Sequence, residues 1–274
     1  MVRSRLPVWL LGRLAAVLVA AVPALLLTAG PAAAAAPSND EIGAATEIGK
    51  LPFFDALDLS QATWNFSTDS SPCSFSQAQS VWYTFTPATD QKVAFDFSAS
   101  PSSLALDVFT GSPGALTRVG CAGISMSGLN GLVVDLVGGT QYWVMVSTGC
   151  CGQQSPFLRL AVYPAVAPQA TISVTGGSHD RGGNATISGV LDCAGVVVVP
   201  TQVTGNVRQS VGRLSSVSAD FTTPTSCAPR LPWQALAQPA AGKFVGGPVT
   251  VNATTRLCNL VGCSTPSTTA IIKL

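Results

Sequence analysis

Apolar and polar side chains alternate with a period of two along many short segments, the pattern of half-buried β-strands. Val81, Tyr83 and Phe85 form one inward set, and Leu104, Leu106 and Val108 form another. The predicted strands are 80–86, 92–98, 104–109, 132–137, 141–146 and 157–163, then 170–174, 185–191, 196–203, 217–221, 249–254 and 270–274. Glycine- and proline-rich runs, such as Gly176-Gly177, are interpreted as turns. Without a convincing amphipathic helix, the pattern predicts an all-β fold of antiparallel sandwiches.

A short proline- and alanine-rich segment, 164–168, divides this pattern into two units, 36–163 and 169–274. The first unit has ten acidic residues against four basic ones, a net charge of −6, whereas the second has three against seven, a net charge of +4. Two β-sandwich domains in tandem are therefore predicted, joined by a linker that its two prolines stiffen.

The first 35 residues have the organisation of a secretory signal peptide. Arg3, Arg5 and Arg13 precede an uncharged apolar stretch and a run of alanines. Because Pro37 would disfavour cleavage directly before it, we place the cut after Ala35, which leaves a mature chain of residues 36–274. An uncleaved membrane anchor is the alternative, since about 20 uncharged residues suffice to span a bilayer.

Overall composition limits the classes of function. Only 10% of residues are charged and the formal net charge is +1, so no general positive field exists to hold nucleic acid or an anionic membrane. The chain contains one histidine, which leaves little acid–base chemistry near neutral pH and no histidine-rich zinc site.

An ordered set of short motifs resembles the bacterial pre-peptidase C-terminal domain over residues 37–163. The motifs are Asn39-Asp40, Ala45-Thr46, Leu51-Pro52-Phe53, Ala62-Thr63, Ser80-Val81-Trp82-Tyr83, Val108-Phe109-Thr110-Gly111, Leu116-Thr117, Gly139-Thr140-Gln141-Tyr142 and Phe157-Leu158-Arg159-Leu160. The resemblance implies a jelly-roll-like β-sandwich that serves as a non-catalytic accessory module. Here no peptidase precedes the module, which opens the mature chain.

The second unit resembles small immunoglobulin-like domains of exported actinobacterial proteins. The resemblance rests on the segment 186–193, which ends in Cys193, then on Cys227, Trp233 and the segment 244–247 before a strand. It implies a sandwich and carries no expectation about chemistry.

Eight cysteines divide evenly between the units, and in an exported chain they predict disulfides. They are Cys73, Cys121, Cys150, Cys151, Cys193, Cys227, Cys258 and Cys263. In the second unit we expect Cys193 to pair with Cys227 and Cys258 with Cys263. In the first, a bond between adjacent cysteines would strain the peptide, so we expect Cys73 and Cys121 each to join one of Cys150 and Cys151. A metal-bound thiolate cluster is the alternative, weakened by the absence of Cys-x-x-Cys spacing.

No catalytic residue is predicted. A serine nucleophile needs a base, and the candidate set would be Ser125, His179 and Asp180. The segment around Ser125 misses the Gly-x-Ser-x-Gly pattern, and His179 fits an exposed turn. The acidic residues of the first unit are expected mostly to face outward or lie in turns, which argues against a carboxylate pair for glycoside hydrolysis.

Calcium is a candidate ligand of the first unit, although we assign no metal site. The resemblance places oxygen ligands at Asn39, Asp40 and Glu41, with Asp55 and Asp58 on the next loop, and hard oxygens suit Ca²⁺. The alternative is that Asp40 caps a helical turn.

Trp64, Phe66 and Phe75 lie in 61–79, a Ser-, Thr- and Gln-rich segment with little strand pattern. Loops on a rigid sandwich often carry binding residues, and aromatic faces suit sugar rings or a partner's apolar anchor. We predict that the three form a binding patch; alternatively, Trp64 folds back over the open end of the core. Trp82 and Trp143, inside apolar strands, are expected to pack.

The sequence therefore predicts a secreted, non-catalytic binding or accessory protein, extracellular or associated with the cell wall. Its expected ligand is an extracellular polysaccharide, the cell wall or a protein, with no cofactor, no nucleic acid and no stable membrane insertion after signal cleavage. The alternative is a structural spacer without a specific small ligand, and hydrolase activity ranks below both. The oligomeric state is left open.

Overall fold

The computed structural model describes residues 35–70, 73, 78–101, 103–123, 129–148, 156–212 and 215–274. The predicted signal peptide up to residue 34, Phe75, Ser125, Cys150 and Cys151 lie outside the described residues. Within the described ranges, no helix is long and apolar enough to cross a membrane. Apart from a 3₁₀ turn at Ile42–Ala44, the regular elements there are β-strands.

Nine strands before residue 165 form the first sandwich: β1 (Thr46–Glu47), β2 (Phe53–Asp58), β3 (Ser80–Phe85), β4 (Gln91–Asp96), β5 (Leu104–Ser112), β6 (Ala115–Ala122), β7 (Gly131–Leu136), β8 (Tyr142–Thr148) and β9 (Phe157–Pro164). Sheet I has the order β1-β3-β8-β5-β6, and sheet II has the order β2-β9-β4-β7. Neighbouring strands are antiparallel, except that β1 runs parallel to β3.

The core of the first sandwich lies between the two sheets and is formed by the predicted inward sets. Val81, Tyr83 and Phe85 of β3 and Leu106 of β5 are buried in it, as is Phe95 of β4. The period-two alternation therefore identified six of the nine strands and their inward faces.

Nine strands follow: β10 (Gln169–His179), β11 (Ala185–Ala194), β12 (Thr201–Val211), β13 (Ser215–Thr225), β14 (Leu231–Ala237), β15 (Pro248–Thr255), β16 (Leu257–Cys258), β17 (Cys263–Ser264) and β18 (Ser267–Lys273). Sheet III has the order β10-β11-β14, and sheet IV has the order β13-β12-β15-β18, while β16 and β17 pair as a short hairpin. The second core includes Phe221 stacked on Trp233, with ring centroids 6.0 Å apart. The all-β, antiparallel sandwich class is thus confirmed.

Two sequence predictions about strand limits are wrong. Gly176-Gly177 is not a turn but lies inside β10, where the register shifts between Val174 and Gly176. Glycine suits that bulge because a Cβ at Gly177 would approach the carbonyl oxygen of Thr186 to 2.9 Å. The strand expected at 196–203 begins only at Thr201, because the valines before it pack against the first sandwich.

Three disulfides are present among the described residues. Cys193–Cys227 and Cys258–Cys263 confirm the pairing expected in the second unit. The pairing expected in the first unit is wrong, since Cys73 bonds directly to Cys121 with a Cα–Cα distance of 6.1 Å. Cys73 lies beside the end of β6, where a Cβ at Gly123 would lie 3.0 Å from the carbonyl oxygen of Cys73.

Candidate functional site

The outer face of sheet I, turned away from sheet II, carries a second apolar cluster. Trp82 and Met145 are fully buried there, and Phe109 is nearly so. Trp143 packs on the same cluster, and its indole Nε1 donates to the carbonyl oxygen of Gly111 at 3.1 Å. The packing expected of Trp82 and Trp143 is confirmed.

Residues 59–70, which we call the binding loop, connect β2 towards β3 across this outer cluster. Trp64 of the loop is half-buried and packs on the cluster. Its Nε1 is buried without a hydrogen-bond partner among the described residues. Trp64 therefore covers the outer face of sheet I. This position matches neither of the two sequence predictions, an open binding patch or a cover over the end of the main core.

Phe66 lies at the tip of a tight turn, and its side chain is 90% exposed. The backbone N–H groups of Thr68 and Asp69 both donate to the carbonyl oxygen of Asn65, at 3.1 and 2.8 Å. Asn65 Oδ1 accepts hydrogen bonds from the N–H and hydroxyl of Ser67. The turn is thus fixed by its own polar groups while it presents an aromatic ring to solvent.

Asp69 anchors the binding loop to the sheet. Its buried carboxylate accepts hydrogen bonds from Trp82 Nε1 at 3.1 Å and Ser80 Oγ at 2.5 Å, both on β3. It also accepts from the Asn65 N–H and the Thr68 hydroxyl, each at 2.9 Å. Four donors from two parts of the chain therefore hold the base of the turn that carries Phe66.

The segment before β1 supports the same loop from the other side. Asp40 accepts hydrogen bonds from the N–H and hydroxyl of Thr63, at 2.6 and 2.7 Å. Glu41 accepts from Asn65 Nδ2 at 3.0 Å, and Asn39 donates to a backbone carbonyl of β3. The alternative role of Asp40 as a helix cap is wrong, because the turn Ile42–Ala44 has no side-chain cap.

The remaining calcium candidates lie on other contacts. Asp55 accepts the hydroxyl of Tyr83 at 2.8 Å, and burial together with that carboxylate raises the pKa of Tyr83. Asp58 accepts the N–H of Ser60, which lowers the pKa of Asp58. Within the described ranges, one group of three acidic or sulfur side chains has ligand atoms within 4.8 Å: Cys73, Asp107 and Cys121. Two of these are disulfide sulfurs, so the five calcium candidates are not brought together into such a group.

A cleft of about 370 Å³ adjoins the binding loop. Thr68 and Ser70 of the loop form one side, and Phe109, Leu116 and Arg118 of the sheet I edge form the other. Its chemistry combines apolar side chains with two hydroxyls and one cation.

Two of the serine-hydrolase candidates, His179 and Asp180, belong to the second sandwich and not to this site. His179 is exposed at the end of β10, and Asp180 accepts hydrogen bonds from the side chain and backbone of Asn184, which lower the pKa of Asp180. Asp180 therefore stabilises a turn, while Ser125 lies outside the described residues.

Sequence reasoning missed the role of Asp69. The expectation that acidic side chains mostly face outward also fails for Asp69, Asp96 and Asp107, which are buried. No local pattern marks Asp69, because two of its four donors come from β3, eleven and thirteen residues further along the chain. The nearest sequence signal is an acid within an otherwise neutral, hydroxyl-rich segment that precedes an apolar strand.

Comparison with known proteins adds little. No protein family and no curated protein matches the sequence. A β-glucuronidase of Parabacteroides merdae has 13% identity and a TM-score of 0.24, covering 73% of this chain and 29% of that one. A β-glucuronidase of Bifidobacterium dentium has 15% identity and a TM-score of 0.23, covering 71% and 39%. The chain spans less than half the length of either enzyme, and similarity at this level does not bear on its function.

Proposed function

We propose that the protein is an exported, non-catalytic binding module that acts outside the cell or at the cell wall. Three disulfides fit an oxidising compartment outside the cytoplasm. The same proposal includes cleavage of the signal peptide after Ala35. It also includes an accessory role, which the resemblance of residues 37–163 to pre-peptidase C-terminal domains implies. The intact mass of the secreted protein tests the cleavage site.

The observation that carries the proposal is the exposure of Phe66 on a turn that is otherwise fully organised. An apolar ring held in water by a fixed backbone gains nothing for folding, and preorganised aromatic side chains are frequent anchors in binding sites. The cleft between the binding loop and β6 provides polar and apolar surface beside that loop. Phe66, with Thr68 and Arg118, would contact a polysaccharide, a cell-wall polymer or a protein.

Binding of the secreted protein to insoluble cell-wall material, polysaccharides and secreted proteins tests the proposal. Phe66→Ala should weaken binding to the captured ligand about tenfold or more, the loss typical of a central aromatic contact. Ile271→Ala is the matched control, because Ile271 is 77% exposed in sheet IV, far along the chain from the binding loop. Equal affinity of Phe66→Ala and the wild type would refute the role of the loop.

A structural spacer is the second candidate, and the contact between the two sandwiches favours it. Asn259, almost fully buried, donates from Nδ2 to the carbonyl oxygens of Val166 and Val196, at 2.8 and 3.2 Å. These bonds fix the linker segment against the second sandwich. Failure of the wild type to bind any of the tested materials would support the spacer and overturn the binding proposal.

A further inference from the structure

A second cleft, of about 400 Å³, lies where the two sandwiches meet. Its floor is the outer face of sheet II, where the register of β2 and β9 sets Phe54 opposite Ala161 and Ala56 opposite Arg159. Phe54 and Arg159 are therefore diagonal neighbours on one face. Val197 and Val198 of the second sandwich also line the cleft, so both sandwiches build it.

The wall of the cleft that Val197 and Val198 form is supported by packing between the two sandwiches. Val196 and Val198 pack with Leu260 on Ala94, Ala161 and Tyr163 of the first sandwich. The small alanine side chains allow this close approach, and a Cβ at Gly131 would collide with Leu260. The cleft is thus formed within one compact unit, residues 35–274, by packed side chains from both sandwiches.

The chemistry of the cleft combines an aromatic face with a cation. Phe54 is 61% exposed, and the alanines around it leave room for a ring to lie beside it. Arg159 donates to the carbonyl oxygen of Ala99 at 3.3 Å and lies 5.7 Å from the Phe157 ring. In the part of the chain that the structure describes, the single ion pair within 4.0 Å joins Lys92 and Asp135, so no carboxylate pairs with Arg159.

Asp55 also lines the cleft, but its carboxylate is already engaged. One oxygen accepts the Tyr83 hydroxyl and the other accepts the N–H of Ala56. Arg159 is therefore the charged group left to interact with a ligand, and a guanidinium binds a carboxylate with two parallel hydrogen bonds. Because the cleft is open to solvent, it fits one unit of a chain that continues on both sides.

We propose that this junction cleft binds a carboxylate-bearing sugar residue of an acidic polysaccharide. The sugar ring would lie on Phe54, and its carboxylate would bind the guanidinium of Arg159. The site is separate from the binding loop and uses none of its residues, so the proposal stands whether or not Phe66 binds a ligand. The mature chain has a net charge of −2, so binding of a polyanion requires this local recognition rather than general attraction.

The test compares polygalacturonate with its fully methyl-esterified form, since esterification removes the carboxylate charge and leaves the sugar ring. The secreted protein should bind the acid about tenfold more tightly than the ester at physiological salt, as measured by calorimetry. Arg159→Gln should abolish that preference, and Arg159→Lys should restore part of it, because lysine keeps the charge without the planar fork. Phe54→Ala should weaken binding of both forms.

Two control variants distinguish the junction cleft from the rest of the surface. Lys92→Gln removes an exposed cation on the same face of sheet II but outside the cleft, and should leave binding unchanged. Ile271→Ala, which truncates an exposed apolar side chain in sheet IV, should also leave it unchanged, whereas a loss confined to Phe66→Ala would assign polysaccharide binding to the loop alone and overturn the proposal. Absence of binding to polygalacturonate, equal affinity for acid and ester, or an unaltered preference in a folded Arg159→Gln protein would overturn the proposal.

Discussion

Asp69→Ala is the sharpest test of how the binding loop is held. The substitution removes the acceptor of four hydrogen bonds. The Ser80 hydroxyl can turn to the carbonyl oxygen of Thr63, 3.2 Å away, whereas Trp82 Nε1 has no second acceptor among the described residues. One fully buried donor and one partly buried N–H, that of Asn65, are left unpaired. At about 1–3 kcal/mol for each, we expect a loss of about 2–6 kcal/mol in the free energy of unfolding.

Urea denaturation followed by tryptophan fluorescence measures this loss, and hydrogen exchange locates it. Residues 59–70 should exchange faster in Asp69→Ala, while strands of the second sandwich should not change. Asp69→Asn keeps an acceptor for Trp82 Nε1, and its amide can donate to Ser80, so its loss should be clearly smaller. A change below about 1 kcal/mol in Asp69→Ala, or equal losses in the two variants, would refute the anchoring role.

Three further predictions concern the rest of the molecule. Asn259→Ala should lose about 1–3 kcal/mol of stability because the part-buried hydrogen bonds to the carbonyl oxygens of Val166 and Val196 are lost, and segment 164–168 should become sensitive to protease. Burial and the hydrogen bond that Tyr163 donates to Asp96 raise the pKa of Tyr163 above its ordinary 10.0. The stability that Tyr163 contributes is therefore complete below pH 10 and is lost as pH rises further. Thermal midpoints measured between pH 8 and 11 should fall less steeply in Tyr163→Phe than in the wild type. Replacing both Cys193 and Cys227 by alanine opens a loop with a sequence separation of 34 and should cost about 3–4 kcal/mol, measured by urea denaturation under non-reducing conditions.

The strands that sequence reasoning missed share one physical property. β1, β2, β6 and β14 each lie at the edge of a sheet, and β16 and β17 pair only with each other. An edge strand pairs on one side only, so its side chains are covered less completely, although burial alternates along β2 and β14. β14 also contains Pro232, which argues against a central strand but is compatible with an edge. Central strands such as β3 and β5, whose inward side chains pack in the core, were found because their apolar positions recur without interruption.

Long-range contacts account for the remaining differences between sequence and structure. Four consecutive valines, 196–199, have the composition of a strand, yet Val196 and Val198 pack on the outer face of the first sandwich. A run of valines that resembles a strand in sequence therefore forms a contact between the sandwiches, and local sequence patterns do not predict such a contact. The disulfide between Cys73 and Cys121 was missed for a similar reason, since it depends on a contact between residues 48 positions apart in the chain.

The contact between the sandwiches also changes the meaning of the division at residues 164–168. Charge and composition separate the chain there, but Tyr163, Ala94 and Ala161 are buried under side chains that follow the division. Tyr163 donates to the fully buried carboxylate of Asp96 at 2.6 Å and receives the N–H of Leu260 at 3.4 Å. Without the second sandwich, this apolar face and its buried acid would meet water. Residues 35–274 therefore form one compact unit, and the contact between the sandwiches builds the wall of the junction cleft that Val197 and Val198 line.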